Sequence, residues 1–211
     1  MQLFLSSYRF GDYAEVLQDM LGDEISDVGV ITNAKDYKTL TERTESVREL
    51  FGSFAELGID AHEIDLRVFF DQPDMLEREL AKYKFIWLSG GNTFVLARAL
   101  QQSGGDAIIR ELVQSGKVIY GGESAGACIA TPMLTGVEFG DDPYIVPEGY
   151  EDVEVWQGLG LVPFSIIPHY ESEWEGYERM EEVLAEAGLP YKILRDHQVY
   201  VVNGEQAELL Q

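Results

Sequence analysis

The stretch Val118-Ile119-Tyr120-Gly121-Gly122-Glu123-Ser124-Ala125-Gly126-Ala127 constrains this chain more than any other. An apolar, β-favouring run leads into Gly-x-Ser-x-Gly, and small helix-compatible residues follow. Such a stretch reads as a strand turning sharply into a helix, with one hydroxyl at the apex. The glycines belong to the turn, where backbones come close together and a Cβ would clash. Ser124 then projects into a cleft, with the following helix N-terminus facing an incoming oxyanion.

The rest of the chain is consistent with that element. Short apolar runs alternate with longer amphipathic stretches, the pattern of a mostly parallel central sheet flanked by helices in three layers. Strands are predicted over residues 2–6, 27–32, 61–66, 85–89, 117–120 and 164–167, with shorter ones over 191–194, 198–202 and 207–210. Val202-Asn203-Gly204 is a hairpin signal. The clearest helix spans 38–57, where Leu40, Val47, Leu50, Phe51, Phe54 and Leu57 share a face. Further helices are predicted over 74–82, 93–102, 106–115 and 174–187. Residues 135–160, rich in Gly, Asp and Pro, show no period and read as a functional loop or concealed β-structure. No linker is visible, so 211 residues are expected to form one domain, 1–211.

Composition narrows the function. Asp and Glu outnumber Lys and Arg 38 to 15, a net charge of −23, and such a surface repels nucleic acid and anionic membranes. It also fits a high-salt environment. Neither a signal peptide nor an apolar run of bilayer length is visible, so a soluble cytoplasmic protein is expected. The single cysteine, Cys128, excludes an intrachain disulfide and reads as a packed core thiol.

A serine hydroxyl needs a base, and the chain has three histidines. His62 falls in an alternating strand and reads as solvent-facing; His197 lies in a polar turn. His169 ends the apolar run Phe164-Ser165-Ile166-Ile167-Pro168, at the strand end where Ser124 should open. A carboxylate is needed to orient the imidazole. Asp196, just past a strand end, is one candidate, with turn chemistry an equal reading; Asp141 and Asp142 are others. Ser89-Gly90-Gly91-Asn92-Thr93 follows another strand and offers a second amide. Ala125 and Gly91 would then supply the two oxyanion donors, while Asn92 or Thr93 caps the next helix.

Together, Gly90-Gly91-Asn92-Thr93-Phe94, Gly122-Glu123-Ser124-Ala125-Gly126-Ala127 and Pro168-His169-Tyr170 resemble the three signature blocks of the peptidase E (dipeptidase E) family of serine peptidases, which includes the cyanophycinases. The resemblance implies a flavodoxin-like sheet related to class I glutamine amidotransferases. It implies Ser124 as nucleophile, His169 as general acid/base, Gly91 and Ala125 as oxyanion donors, and Asn92 in the substrate cleft. The family's acidic position matches Asp196; an aspartate after the elbow holds that role in some relatives, with Asp142 its counterpart here. Monomers and homodimers both occur, and no metal or organic cofactor is implied. Relatives that cleave after an amino-terminal aspartate carry an arginine after the histidine. Here Tyr170 to Glu178 holds four glutamates and no base before Arg179, which argues against aspartyl-dipeptide specificity; the acidic rim with Trp174 and Tyr177 would suit a substrate's ammonium group or a basic side chain.

The expected function is therefore hydrolysis of short peptides or related amides by a Ser-His-acid triad. Two rivals are an α/β-hydrolase-like esterase using Ser124, Asp142 and His197, and a non-catalytic member binding a small molecule in the same cleft.

Overall fold

The structure is a computed structural model that describes residues 1–171 and 176–211, with Tyr177 described in its backbone alone. Its elements run β1 (Gln2–Ser6), α1 (Ala14–Leu21), β2 (Asp27–Ile31), α2 (Leu40–Glu56), β3 (Asp60–Glu63), α3 (Pro73–Leu80), β4 (Phe85–Leu88), α4 (Thr93–Ser103), α5 (Gly105–Gln114) and β5 (Ile119–Glu123). There follow α6 (Ala125–Cys128), β6 (Ser165–Ile167), α7 (Tyr177–Glu186), β7 (Tyr191–Ile193), β8 (Val199–Asn203) and β9 (Gln206–Leu210).

The central sheet has the order β3-β2-β4-β5-β1-β8-β9. Its first five strands are mutually parallel, while β8 and β9 add an antiparallel edge joined by the expected hairpin at Gly204. Alternation along each strand splits the core. Leu3, Leu5, Ile86 and Leu88 face one helix layer containing α3, α4 and α5. Phe4, Phe85 and Trp87 face the other, containing α1 and α2. There Phe10, Phe54 and Trp87 pack edge to face with centroids 5.0 to 5.5 Å apart, the geometry favoured by ring quadrupoles.

Differences from the sequence reading have local causes. Helix α2 begins at Leu40 because Thr39 and Glu42 form a reciprocal capping box, and this leaves Leu40 80% exposed, off the predicted core face. Helix α1, with Leu17 and Leu21 buried one turn apart, is absent from the sequence reading. Strand β5 runs past residue 120 to Glu123 because both glycines pair on two sides: Gly122 stands opposite Leu88 of β4 and Leu5 of β1. Strands β6 and β7 do not join the central sheet; they pair in parallel with each other, Ile167 opposite Ile193. Helix α7 starts at Tyr177; the first two residues predicted for it, 174 and 175, lie outside the described residues. Residues 135–160 form a loop holding one 3-10 turn, Val137–Phe139, and residue 157 within it makes an isolated bridge to Met133.

Registers place the carboxyl ends of β4, β5 and β1 side by side. In open α/β sheets ligands bind beyond such ends.

Candidate active site

Ser124 occupies the turn between β5 and α6 with φ 49° and ψ −109°, a conformation that side chains rarely adopt. Its surroundings force it. A Cβ on Gly122 would come 2.4 Å from the Gly126 carbonyl oxygen, and one on Gly126 would come 2.0 Å from the Leu88 oxygen. Only glycine at both positions allows α6 to fold back onto the sheet. The Ser124 amide donates to the Ser6 carbonyl at 3.0 Å, and Tyr120 Oη donates to the Gly126 carbonyl at 2.6 Å. Strain held this firmly is typical of functional positions.

His169 follows β6 and is also left-handed, φ 54°. It is 7% exposed. Nε2 lies 2.9 Å from Ser124 Oγ, and Nδ1 lies 2.7 Å from Asp196 Oδ1. Asp196 stands beyond β7, so pairing of β6 with β7 brings imidazole and carboxylate together. Ser7, just past β1, ties the two arms. Its Oγ accepts from the His169 amide at 2.7 Å and donates to Asp196 Oδ1 at 2.8 Å. Sequence reasoning missed Ser7; its one signal is its place at the end of the strand beside β5.

The loop after β4 covers Ser124 from above. Gly91 takes φ 146°, and a Cβ there would lie 2.3 Å from the Ala34 carbonyl oxygen. Among the described residues neither the Gly91 nor the Ala125 amide donates to a protein acceptor. Asn92 lines the cleft, but its side chain is committed to structure. Oδ1 caps α4 by accepting from Val95 N at 2.9 Å, and Nδ2 donates to the Asp142 carbonyl at 3.0 Å. Asp142's carboxylate accepts from Tyr144 N at 2.9 Å within its own loop. Asp141 accepts from the amide and hydroxyl of Thr93 at 2.8 and 2.6 Å. Burial raises its pKa, a shift opposed by those two bonds and by nearby His169.

A cleft of about 510 Å³ opens over Ser124, His169 and Gly91. Arg9, Lys35 and Lys38 also line it. Glu123, buried beside Ser124, accepts from the Arg9 amide at 2.8 Å. His62 sits on β3 with its side chain 47% exposed, and His197 is exposed with its carbonyl accepting from Asp12 N. No hydrogen bond among the described residues links His197 to Ser124 or Asp142. Cys128 is buried against the Ile166 carbonyl, and burial pushes its thiol up, as for an inert core residue. Among the described residues no group of three or more His, Cys, Asp or Glu side chains is placed to hold a metal ion, and no helix is long and apolar enough to cross a membrane.

A three-layer α/β fold with a strand–serine–helix elbow opening on such a cleft defines the serine hydrolases of this architecture. Comparison with known proteins narrows the class. The model of peptidase family S51 matches residues 3–210, and the chain belongs to that family of serine peptidases. An uncharacterized peptidase of Pasteurella multocida is 29% identical over 97% of this chain and 94% of its own length. A Drosophila melanogaster protein named "Probable alpha-aspartyl dipeptidase" is 38% identical over 66% of this chain and 58% of its own. A crystal structure titled as a "Putative Peptidase E Protein" from Listeria monocytogenes EGD-e superposes with TM-score 0.79 at 25% identity, covering 100% of this chain and 98% of that one.

Proposed function

We propose that Ser124, His169 and Asp196 carry out the peptide-bond hydrolysis that membership of family S51 assigns to this chain. The observation behind this reading is the unbroken run from Asp196 through His169 to Ser124, at 2.7 and 2.9 Å. Ser124 Oγ attacks the scissile carbonyl while His169 Nε2 takes its proton; the oxyanion meets the Gly91 and Ala125 amides. His169 then protonates the leaving amine, and the same imidazole activates the water that releases the acyl group. Asp196 stays ionised throughout, holding the ring and stabilising the imidazolium.

The test is direct. A mixed dipeptide library is digested with wild type and Ser124→Ala and read by mass, and folded protein is treated with a serine-directed fluorophosphonate. Cleavage that vanishes in Ser124→Ala, with label on Ser124, is expected. Cleavage retained by Ser124→Ala removes the serine mechanism, and an unlabelled Ser124 returns the chain to the binding reading. The esterase rival finds no support in the exposed His197.

One observation favours peptides beginning with an acidic residue. The segment after His169 is acidic, and its Ser172 to Glu175, together with the Tyr177 side chain expected in the rim, lie outside the described residues. Cations reach the cleft from elsewhere. The Arg9 guanidinium makes no hydrogen bond among the described residues, with Glu123 and Glu49 at 3.6 and 3.7 Å. It is ion-paired with both, and a substrate carboxylate would compete with them for its donors. Equal kcat/KM for Asp-Leu and Asn-Leu would remove this preference.

A further inference from the structure

We propose that Lys35 is a positioning residue of the oxyanion hole, gripping the Gly90 carbonyl so that the amide of the same peptide, that of Gly91, stays aimed at the cleft. The inference rests on the reading of Gly91 as an oxyanion donor. In a trans peptide the C=O and N–H point in opposite directions, so fixing one fixes the other. Lys35 Nζ lies 2.6 Å from Gly90 O, and Ser89 Oγ reaches the same oxygen at 3.3 Å. On the far side, Asn92 N donates to the Ala34 carbonyl at 2.7 Å, from the same short turn that carries Lys35. Two glycines in succession give this peptide the freedom to turn either way. They give no reason to stay, and Lys35 supplies one.

The position of Lys35 is costly, which argues against an incidental contact. It is 7% exposed. Burial lowers its pKa to about 8, opposed by the field of Glu123 and reinforced by Lys38, Arg9 and Arg43. A buried amine held chiefly by one carbonyl contributes less to stability than an apolar side chain of equal length would. Lys35→Met is therefore expected to fold and to melt no lower than wild type.

The experiment compares full-length wild type, Lys35→Met, Lys35→Arg and Ser124→Ala on one short peptide cleaved by wild type. Removing an oxyanion donor outright lowers kcat by about 10²- to 10³-fold. Letting that donor turn away part of the time is expected to cost Lys35→Met roughly 30-fold in kcat, with KM within about threefold. Affinity for a peptide boronate, which forms a tetrahedral adduct on the serine, falls in step with kcat. Lys35→Arg, keeping a charged donor, regains about tenfold. Turnover retained by Ser124→Ala overturns the reading of the site and this proposal with it. Where Ser124→Ala is inactive, any of four results overturns the Lys35 role alone: kcat within threefold in Lys35→Met, a loss confined to KM, an unchanged boronate affinity, or a variant that fails to fold.

Discussion

Ser124 and His169, the proposed nucleophile and base, meet at 2.9 Å but are held by different means. Ser124 follows β5, paired along its length with β4 and β1, and its strained backbone is held by contacts with those same strands, the Leu88 and Ser6 carbonyls. His169 and Asp196 ride on β6 and β7, three residues each, in a separate two-stranded sheet. That small sheet docks on the central one through Ile166 and Ile167, buried in the core shared with β1, β4 and β5, and through Phe164 set edge to face on Tyr200 of β8 at 5.1 Å, with Ser7 and the contact of Cys128 with Ile166 as polar ties. A two-stranded sheet has little stability of its own. The nucleophile arm is thus rigid by construction, and the base arm is rigid by docking.

Asp196→Asn should strike the base arm hardest. Loss of the carboxylate partner leaves the imidazole in the wrong tautomer, and kcat is expected to fall on the order of 10³- to 10⁴-fold. Asp142→Asn, whose carboxylate serves its own loop, should stay within about threefold of wild type on the same peptide. The reverse order would move the triad's acid to residue 142. Gly126→Ala should break the nucleophile arm as a matter of folding. A Cβ 2.0 Å from the Leu88 oxygen must push α6 off β4, and denaturant unfolding should show a loss of roughly 2–4 kcal/mol. Ser7→Ala should loosen the base arm: the buried His169 amide loses its acceptor, at about 1–3 kcal/mol of stability, and kcat should fall about tenfold through a less well aimed ring. If Ser7→Ala kept wild-type kcat, the docking argument would fail.

A smaller effect follows from Lys35. Its folded pKa, about 8, lies below the ordinary 10.5. Below pH 8 the full cost of the buried charge is present. Between about 8 and 10.5 the unfolded chain binds more protons, so this group's share of stability rises with pH, by at most about 3 kcal/mol. Chemical unfolding at pH 7, 9 and 10.5 should show wild type gaining on Lys35→Met across that window; a constant difference would mean the burial is not felt. The smallest change is expected from His197→Ala, within about twofold in kcat/KM, since that ring is exposed.

Much of this was legible in the chain. The elbow, the Gly90-Gly91 loop and His169 at a strand end all announce themselves through local chemistry. Asp196 was visible as a candidate but not separable from Asp142, because a turn aspartate and a catalytic one look alike until a ring nitrogen lies beside one of them. Asn92 was legible both as a cleft residue and as a cap of the next helix, and it lines the cleft while its Oδ1 caps α4. Ser7 and Lys35 carried almost no signal, since a serine after a strand and a lysine in a turn are ordinary.

The sequence by itself determined most strands and the sharp turn at residue 124, which depend on backbone preferences within some ten residues, and the family, which depends on the order of three short blocks between Gly90 and Tyr170. Tertiary structure alone decided which acid meets the imidazole and that Ser7 bridges to it across 162 positions of chain. It also decided that β6 and β7 leave the central sheet. Those outcomes depend on how distant segments pack. Packing is a sum over many weak contacts that no short stretch of sequence contains.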